Sequence, residues 1–173
     1  MLERVLSYKK VDEYFSSLAA KHVDIKDYVG TSTTELQSKT ATVDGLQIPF
    51  LCFFNYQGKL SGNQQRTFND RTLSFSICFT GIDAEDFAAQ KQAIDDAEII
   101  GLEILSRINV ESKKEAIGWL YNNFQKDTAH YSEIELEGSE GVFGMEFHFD
   151  LKNTEPLVVS PNKWFDGDEF CLP

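Results

Sequence analysis

The stretch from Arg71 to Asn109 changes its hydrophobic period once, at residues 81–83, and this change constrains the fold more than any other feature. From Leu73 to Phe79 apolar residues alternate with polar ones, as on a strand with one buried face. Beyond the break apolar residues recur at helical spacing, which predicts one long helix capped by Asp83. Because each element needs an apolar partner, we expect the helix to lie across the strand's apolar face. The helix residues predicted to form its apolar side are Phe87, Ile94, Ala97, Gly101, Leu102, Leu105 and Ile108.

Other periodic segments surround this unit. Helical spacing of apolar residues predicts a first helix within residues 11–28, and alternation predicts a strand over residues 46–56. Alternation on both sides of a glycine-containing turn predicts a hairpin from residues 132–137 and 143–152. Residues 110–128 fit either a helical turn or a short strand. The chain is therefore predicted to be α+β: an antiparallel four-stranded or slightly larger sheet, the long helix packed across one face, and an N-terminal helix.

The length and composition fit one domain with a real core, since 42% of the 173 residues are hydrophobic. We expect residues 1–155 to form that domain and residues 156–173 to form a C-terminal tail or docking arm. No run approaches the roughly 18 apolar residues that span a membrane. The start of the chain also lacks the apolar core of a secretory signal. The sequence thus predicts a soluble protein that stays in the cytoplasm where it is made.

Acidic residues outnumber basic ones, and the formal net charge is -12. Residues 133–173 alone contain ten Asp or Glu against two Lys. The basic residues are scattered, so tight binding to a phosphate backbone is disfavoured. The acidic segment is interpreted either as a solvated face or as a surface that keeps DNA or a partner from sticking.

The three cysteines, Cys52, Cys78 and Cys171, are odd in number and widely spaced. This spacing supports neither a disulfide framework nor a Cys-x-x-Cys metal site. We expect free thiols that are buried or partly buried.

The sequence contains none of the common phosphate-binding, nucleophile-elbow or zinc-protease motifs, so no catalytic residue and no cofactor is predicted. One alternative is a metal or acid/base site, because Glu146, His148 and Asp150 project from one strand face and His130 approaches from the preceding strand. Alternating polar residues on the wet face of a hairpin produce the same pattern, and that explanation is preferred.

A second group of carboxylates lies around the long helix. Their positions in its first turn and on its polar side explain them without a general acid/base role. These residues are Asp83, Glu85, Asp86, Asp95, Asp96 and Glu98.

Two segments stand out as candidate contact surfaces. Residues 56–70 are rich in glycine, amide and basic side chains and are predicted to be a long loop between two strands, suited to an acidic partner. The tail carries aromatic residues that a disordered segment does not need, so it is expected to anchor either on its own core or on a partner. The candidate contact residues are Lys59, Gln64, Gln65, Arg66, Phe68, Trp164, Phe165 and Phe170.

The element order, with the unit TLSFSICFTGIDAEDFAAQKQAIDDAEIIGLEIL and the closing GMEFHFDLKNTEP, resembles the tail terminator and tail completion proteins of tailed phages. The resemblance covers most of residues 5–155, and the tail after Pro156 lies outside it. It implies a small α+β protein without catalytic residues that forms a homo-oligomeric ring at the neck or tail end. It also implies contacts with other tail or neck proteins, and a place in the virion after assembly in the host cytoplasm.

Two other functions stay open on the sequence alone. One is an acidic binding module, such as an immunity protein or antitoxin that covers a basic toxin site. The other is a metal-dependent enzyme of unknown substrate that uses the His130 and His148 group.

Overall fold

A computed structural model describes residues 6–30, 39, 45–63, 65–134 and 141–166. Two α-helices and five strands occupy this part of the chain. In chain order they are α1 (Tyr8–Lys21), β1 (Asp27–Val29), β2 (Phe50–Gly62), β3 (Thr67–Phe79), α2 (Phe87–Glu111), β4 (Phe124–Glu133) and β5 (Phe143–Thr154), and a 3-10 turn follows at Pro161–Lys163.

The strands form one sheet in the order β1-β2-β3-β5-β4. All pairs are antiparallel except β1, which runs parallel to β2 over three residues. The register is broken between Phe53 and Asn55 in β2 and between Gln125 and His130 in β4. The predicted α+β class is confirmed, with a sheet slightly larger than four strands.

Both helices pack on the same face of this sheet. Phe15 of α1 stacks on Phe53 of β2 with ring centroids 4.7 Å apart, and it also lies 5.4 Å from the ring of Phe75. Helix α2 crosses β3, β5 and β4. The predicted packing of the long helix across the apolar face of the central strand is thus confirmed.

The buried side of α2 differs from the predicted one. Ala97, Gly101 and Ile108 are buried as predicted, but Phe87 is 67% exposed and Leu102 is 38% exposed. Phe87 is the first residue of the helix, and the first buried residue of α2 is Ala93. The remaining buried positions are Ala93, Ile100 and Ile104, so small and β-branched residues take the contact instead of Phe87 and Leu102.

Several predicted boundaries are wrong. Helix α1 ends at Lys21, so the prediction of a helix up to residue 28 fails, and Asp27–Val29 form a strand instead. The cap of α2 is Asp86, whose side chain accepts from the Ala89 amide at 3.0 Å. Asp83 instead accepts from the Glu85 amide in the preceding turn. Short-range hydrogen bonding by Asp is equally good at either site, which is why the sequence pattern did not separate them.

The largest correction concerns residues 56–70. They do not form a long loop, because β2 continues to Gly62 and β3 starts at Thr67. β2 is also displaced from the predicted 46–56 range. The connection is a tight turn in which the Asn63 amide donates to the Arg66 carbonyl at 3.0 Å. Gly62 has φ +109°, and a Cβ there would lie 2.1 Å from the Arg66 carbonyl oxygen, so this turn requires glycine.

The closing hairpin is present with shifted bounds. β5 (Phe143–Thr154) matches its prediction, whereas β4 covers Phe124–Glu133 and so begins well before residue 132. Residues 135–140 of the predicted hairpin lie outside the described part. Residues 112–123, which the sequence left undecided, form a series of turns that lead into β4.

Hydrogen bonds among three side chains join α1 to the end of α2. The Tyr14 hydroxyl donates to Oε2 of Glu111 at 2.7 Å, and Nε of Arg107 donates to Oε1 of the same carboxylate. Burial raises the pKa of Tyr14, and the Glu111 hydrogen bond adds to the effect. Burial alone would raise the pKa of Glu111 too, but the hydrogen bonds from Tyr14 and Arg107 outweigh it and hold that pKa below its usual value.

Replacing Tyr14 by Phe is expected to reduce the free energy of unfolding by about 1–2 kcal/mol at neutral pH, because a hydrogen bond to a charged group is lost. A carboxyl group with a lowered folded-state pKa stabilises the fold above its unfolded-state pKa, and this contribution disappears as the pH falls through the folded-state value. The deficit of Tyr14→Phe should therefore shrink as the pH falls through the lowered folded-state pKa of Glu111. Urea unfolding across this range measures it, with Tyr131→Phe as the control, since that exposed hydroxyl bonds Glu98 on the surface. An equal deficit at both pH extremes would contradict the assigned role of Glu111.

Within the described residues, no helix is both long and apolar enough to cross a membrane.

Candidate interaction surfaces

The β2–β3 hairpin end extends beyond the main core and carries five of the eight candidate contact residues. Lys59, Gln65 and Arg66 are exposed there, whereas Gln64 lies outside the described residues. The side chain of Asn63 accepts from the amides of Gln65 at 2.9 Å and Arg66 at 3.0 Å, which fixes the turn. The hairpin end therefore presents its basic side chains from an ordered turn.

Two cationic side chains of the hairpin end lie against the ring of Phe68. Its ring lies 4.7 Å from the Arg66 guanidinium carbon and 5.0 Å from the Lys152 ammonium. Lys152 also lies 3.8 Å from Asp70, and Arg66 donates to Thr154 at 3.4 Å. Cations held against an aromatic face gain electrostatic attraction while they remain available to a partner. The sequence flagged Phe68, but it gave no sign that Lys152 joins it from β5.

A buried ionic network supports the base of the hairpin. Arg71 is 4% exposed, and it donates to Glu155 at 2.9 Å and to Asn153 at 3.4 Å. Asn153 in turn donates to the Trp119 carbonyl at 2.7 Å. These contacts tie β3 to the end of β5 and to the turns before β4. Sequence reasoning missed this network, because a buried arginine cannot be recognised from its neighbours in the chain.

The C-terminal arm, residues 156–166 of the predicted tail, begins where the Glu155 amide donates to the Thr67 carbonyl at 2.9 Å. Leu157, Val158 and Phe165 are 66%, 64% and 115% exposed. Trp164 is also exposed, whereas Phe170 lies outside the described residues. Leu157, Val158 and Phe165 of this arm are thus largely exposed among the described residues.

The sheet face opposite the helices holds the proposed metal group. Glu146, His148 and Asp150 lie on this face, and the ring of His130 stacks on His148 with centroids 4.8 Å apart. His148 uses Nδ1 to bond Ser74 at 2.7 Å and Nε2 to contact Glu146 at 2.7 Å. The Thr72 hydroxyl donates to Asp150 at 2.7 Å. Among the described residues, no group of three His, Cys, Asp or Glu side chains is arranged to hold a metal ion.

The Ser74, His148 and Glu146 side chains form a serine–histidine–carboxylate chain, which invites comparison with a nucleophile and its base. Ser74, however, is 0% exposed, and its hydroxyl also takes a hydrogen bond from Asn55 at 3.3 Å. A buried hydroxyl that is already bonded cannot reach a substrate. The contacts therefore describe a structural network between β2, β3 and β5.

The Cys78 thiol of the same face is an equally poor nucleophile. Burial raises the pKa of the Cys78 thiol to about 12, outweighing the opposing hydrogen bond to Ser76. Cys52 is partly buried nearby, and neither of these two forms a disulfide. The full or partial burial of these two thiols agrees with the sequence prediction, whereas Cys171 lies outside the described residues.

The opposite end of the sheet from the hairpin is acidic. Asp83, Glu85 and Asp86 are exposed in the segment that leads from β3 into α2, and Glu133 is exposed at the end of β4. The backbone hydrogen bonds of Asp83 and Asp86 explain their local roles. Phe87 follows them with 67% of its surface exposed. This acidic end thus combines negative charge with an exposed aromatic ring.

Comparison of the sequence with models of known protein families finds no match, and no significantly similar curated protein is found.

Proposed function

We propose that this protein is a non-enzymatic structural subunit of a phage or phage-like tail, which forms a ring at the head–tail junction or at the end of the tail tube. The observation that carries the proposal is the C-terminal arm. It leaves the sheet beside the hairpin end and exposes Leu157, Val158, Val159 and Phe165. A run of exposed apolar side chains marks a surface that another protein covers.

The order of elements supports the same proposal. A first helix, a long antiparallel pair, a strand that leads into a long helix, and a closing strand pair are all present. These are the elements on which the resemblance to tail terminator and tail completion proteins depends. Fold alone does not imply function, so the resemblance adds to the argument from the arm and does not replace it.

Charge supports a place next to DNA without attachment to it. The net charge of -12 opposes binding to a phosphate backbone. A ring through which DNA must pass benefits from this repulsion.

Native mass spectrometry and negative-stain electron microscopy of the full chain, with and without co-expressed tube or neck proteins, test the proposal. Closed rings are expected. A variant with Leu157→Ser, Val159→Ser and Phe165→Ser should lose or weaken these assemblies, because burial of the three side chains contributes to the contact. The matched control is Val23→Ser, which removes a side chain that is 83% exposed but far along the chain from the arm.

A protein that remains monomeric at high concentration, in the presence of tube or neck partners, would overturn the proposal. Tight one-to-one capture of a co-encoded basic protein would instead favour an acidic binding module. The excess of ten acidic over two basic residues in residues 133–173 is the observation that keeps this second function in view.

A further inference from the structure

The two ends of β3 carry opposite charge. At its start the hairpin end presents Lys59, Arg66 and Lys152 beside the carboxylate of Asp70, while the carboxylate of Glu155 is paired with Arg71. At its far end the chain passes into the acidic segment that contains Asp83, Glu85 and Asp86. A local excess of cations is notable in a chain whose net charge is -12.

The hairpin end has a sheet face that no described element covers. Lys59, Asp70 and Lys152 face the same side from three adjacent strands. The ring of Phe68, which contacts the Lys152 ammonium, lies beside them. Lys59 forms no ion pair with any described residue. On the other side of the hairpin Leu60 is 51% exposed. The hairpin end therefore offers cations and apolar surface together.

The acidic end offers carboxylates that complement the cations of the hairpin end, and an aromatic ring that complements its apolar surface. Glu85 and Glu133 are exposed and form no ion pair within the described residues. Phe87 adds an exposed aromatic ring beside the carboxylates. Aromatic side chains are enriched at the buried core of protein interfaces, and charged side chains belong to the rim.

One copy cannot bring these two surfaces together. They lie at opposite ends of a strand of 13 residues, a separation of roughly 40 Å at the usual rise of a strand. Attraction over that distance is screened at physiological salt, where the Debye length is about 8 Å. The charges are complementary only between different copies, and a contact between two different surfaces of identical subunits continues head to tail and forms a ring where the rotation between copies closes.

We propose that the β2–β3 hairpin end of one copy docks on the acidic end of a second copy, and that this contact joins the subunits of the ring. The inference rests on the proposed function only in that both require self-association; it adds which two surfaces meet. Lys59 and Arg66 pair with Glu85 and Glu133, while Leu60 and Phe87 bury apolar surface at the same contact.

Charge exchange between the two surfaces tests the contact. One variant carries Lys59→Glu with Arg66→Glu, and the other carries Glu85→Lys with Glu133→Lys. Each variant alone places like charges against each other, so its self-association should weaken by about tenfold or more. An equimolar mixture restores opposite charges at every contact, and assemblies with alternating subunits should reappear. Analytical ultracentrifugation and native mass spectrometry measure both outcomes.

The matched control for net charge is Lys113→Glu with Lys114→Glu, which makes the same charge change at two exposed residues just after α2 and leaves Lys59, Arg66, Glu85 and Glu133 in place. This control should assemble like the wild type. Rings that persist in both charge-reversed variants would overturn the docking contact and leave the proposed function intact. A wild-type chain that never self-associates, even with tube or neck proteins, would overturn both. Loss of assembly in each variant without recovery in the mixture would also contradict the contact.

Discussion

Replacing Arg71 by Met is expected to lower the free energy of unfolding by about 3 kcal/mol or more, because it leaves the Glu155 carboxylate without its partner in a poorly hydrated site. The two side chains are only 5% and 15% exposed, so water cannot replace the lost contact. Asn153 also loses its contact with the guanidinium at the base of the hairpin. Denaturant unfolding followed by circular dichroism measures the change.

Two further variants show whether the loss comes from the buried charge. Arg107→Met removes another ion pair, but the Arg107 side chain is 50% exposed, so little change is expected. Combining Arg71→Met with Glu155→Leu removes both charges and should recover much of the lost stability. If the double variant is as unstable as Arg71→Met plus Glu155→Leu taken separately, the two charges do not act as a pair.

The second large effect is expected at Gly101, where α2 touches the sheet most closely. A Cβ on this residue would lie 2.0 Å from Cε2 and Cζ of Phe147, inside any permitted contact. Phe147 is 0% exposed and stacks on Phe75 at 5.0 Å, so its ring has no free space to enter. Although Ala favours a helix over Gly by about 1 kcal/mol, Gly101→Ala should destabilise the protein by about 2–3 kcal/mol net through overpacking.

Gly118→Ala is the control for Gly101→Ala. A Cβ at Gly118 meets no atom within 4 Å, so this substitution should change the midpoint of thermal unfolding little. A Gly101→Ala protein as stable as the wild type would mean that α2 can move away from β5 without cost. A double variant with Phe147→Leu should recover part of the loss, since it removes the ring that a Cβ would meet.

The centre of the fold could be predicted from the sequence because its signals are local. Alternation from Leu73 to Phe79 and helical spacing beyond Phe87 each report directly on one buried face. The side of α2 that meets the sheet was predicted only in part. Its closest contact depends on Gly101 fitting over Phe147, a residue 46 positions later in the chain, as counted from their numbers.

The hairpin end could not be predicted because its strands depend on distant partners. Gly58, Gly62 and Asn63 are typical of turns, and they led to the prediction of a long loop. Pairing of residues 67–79 with β2 on one side and β5 on the other overrides those local preferences. The same is true of the candidate site, where sequence identified Lys59, Arg66 and Phe68 but not the contribution of Lys152.

For the His130 and His148 group, the sequence predicted the shared strand face but not the hydrogen bonds. Projection of alternating side chains to one side of β5 was correct, and His130 does approach across the hairpin. What the sequence could not show is that Ser74 and Thr72 of β3 already engage His148 and Asp150. The sequence could therefore predict that these polar residues lie close together. It could not predict that they are hydrogen-bonded to Ser74 and Thr72.

The two edge strands of the sheet, β1 and β4, limit edge-to-edge pairing between copies of this protein. At one margin β1 offers only three residues, and at the other the register break in β4 places Lys126 and Asp127 where a further strand would have to align. Short, interrupted and charged margins discourage the endless strand-by-strand growth that produces fibres. Pairing of further strands at these two edges is thereby discouraged, so the proposed contact between the hairpin end and the acidic end would not have to compete with it.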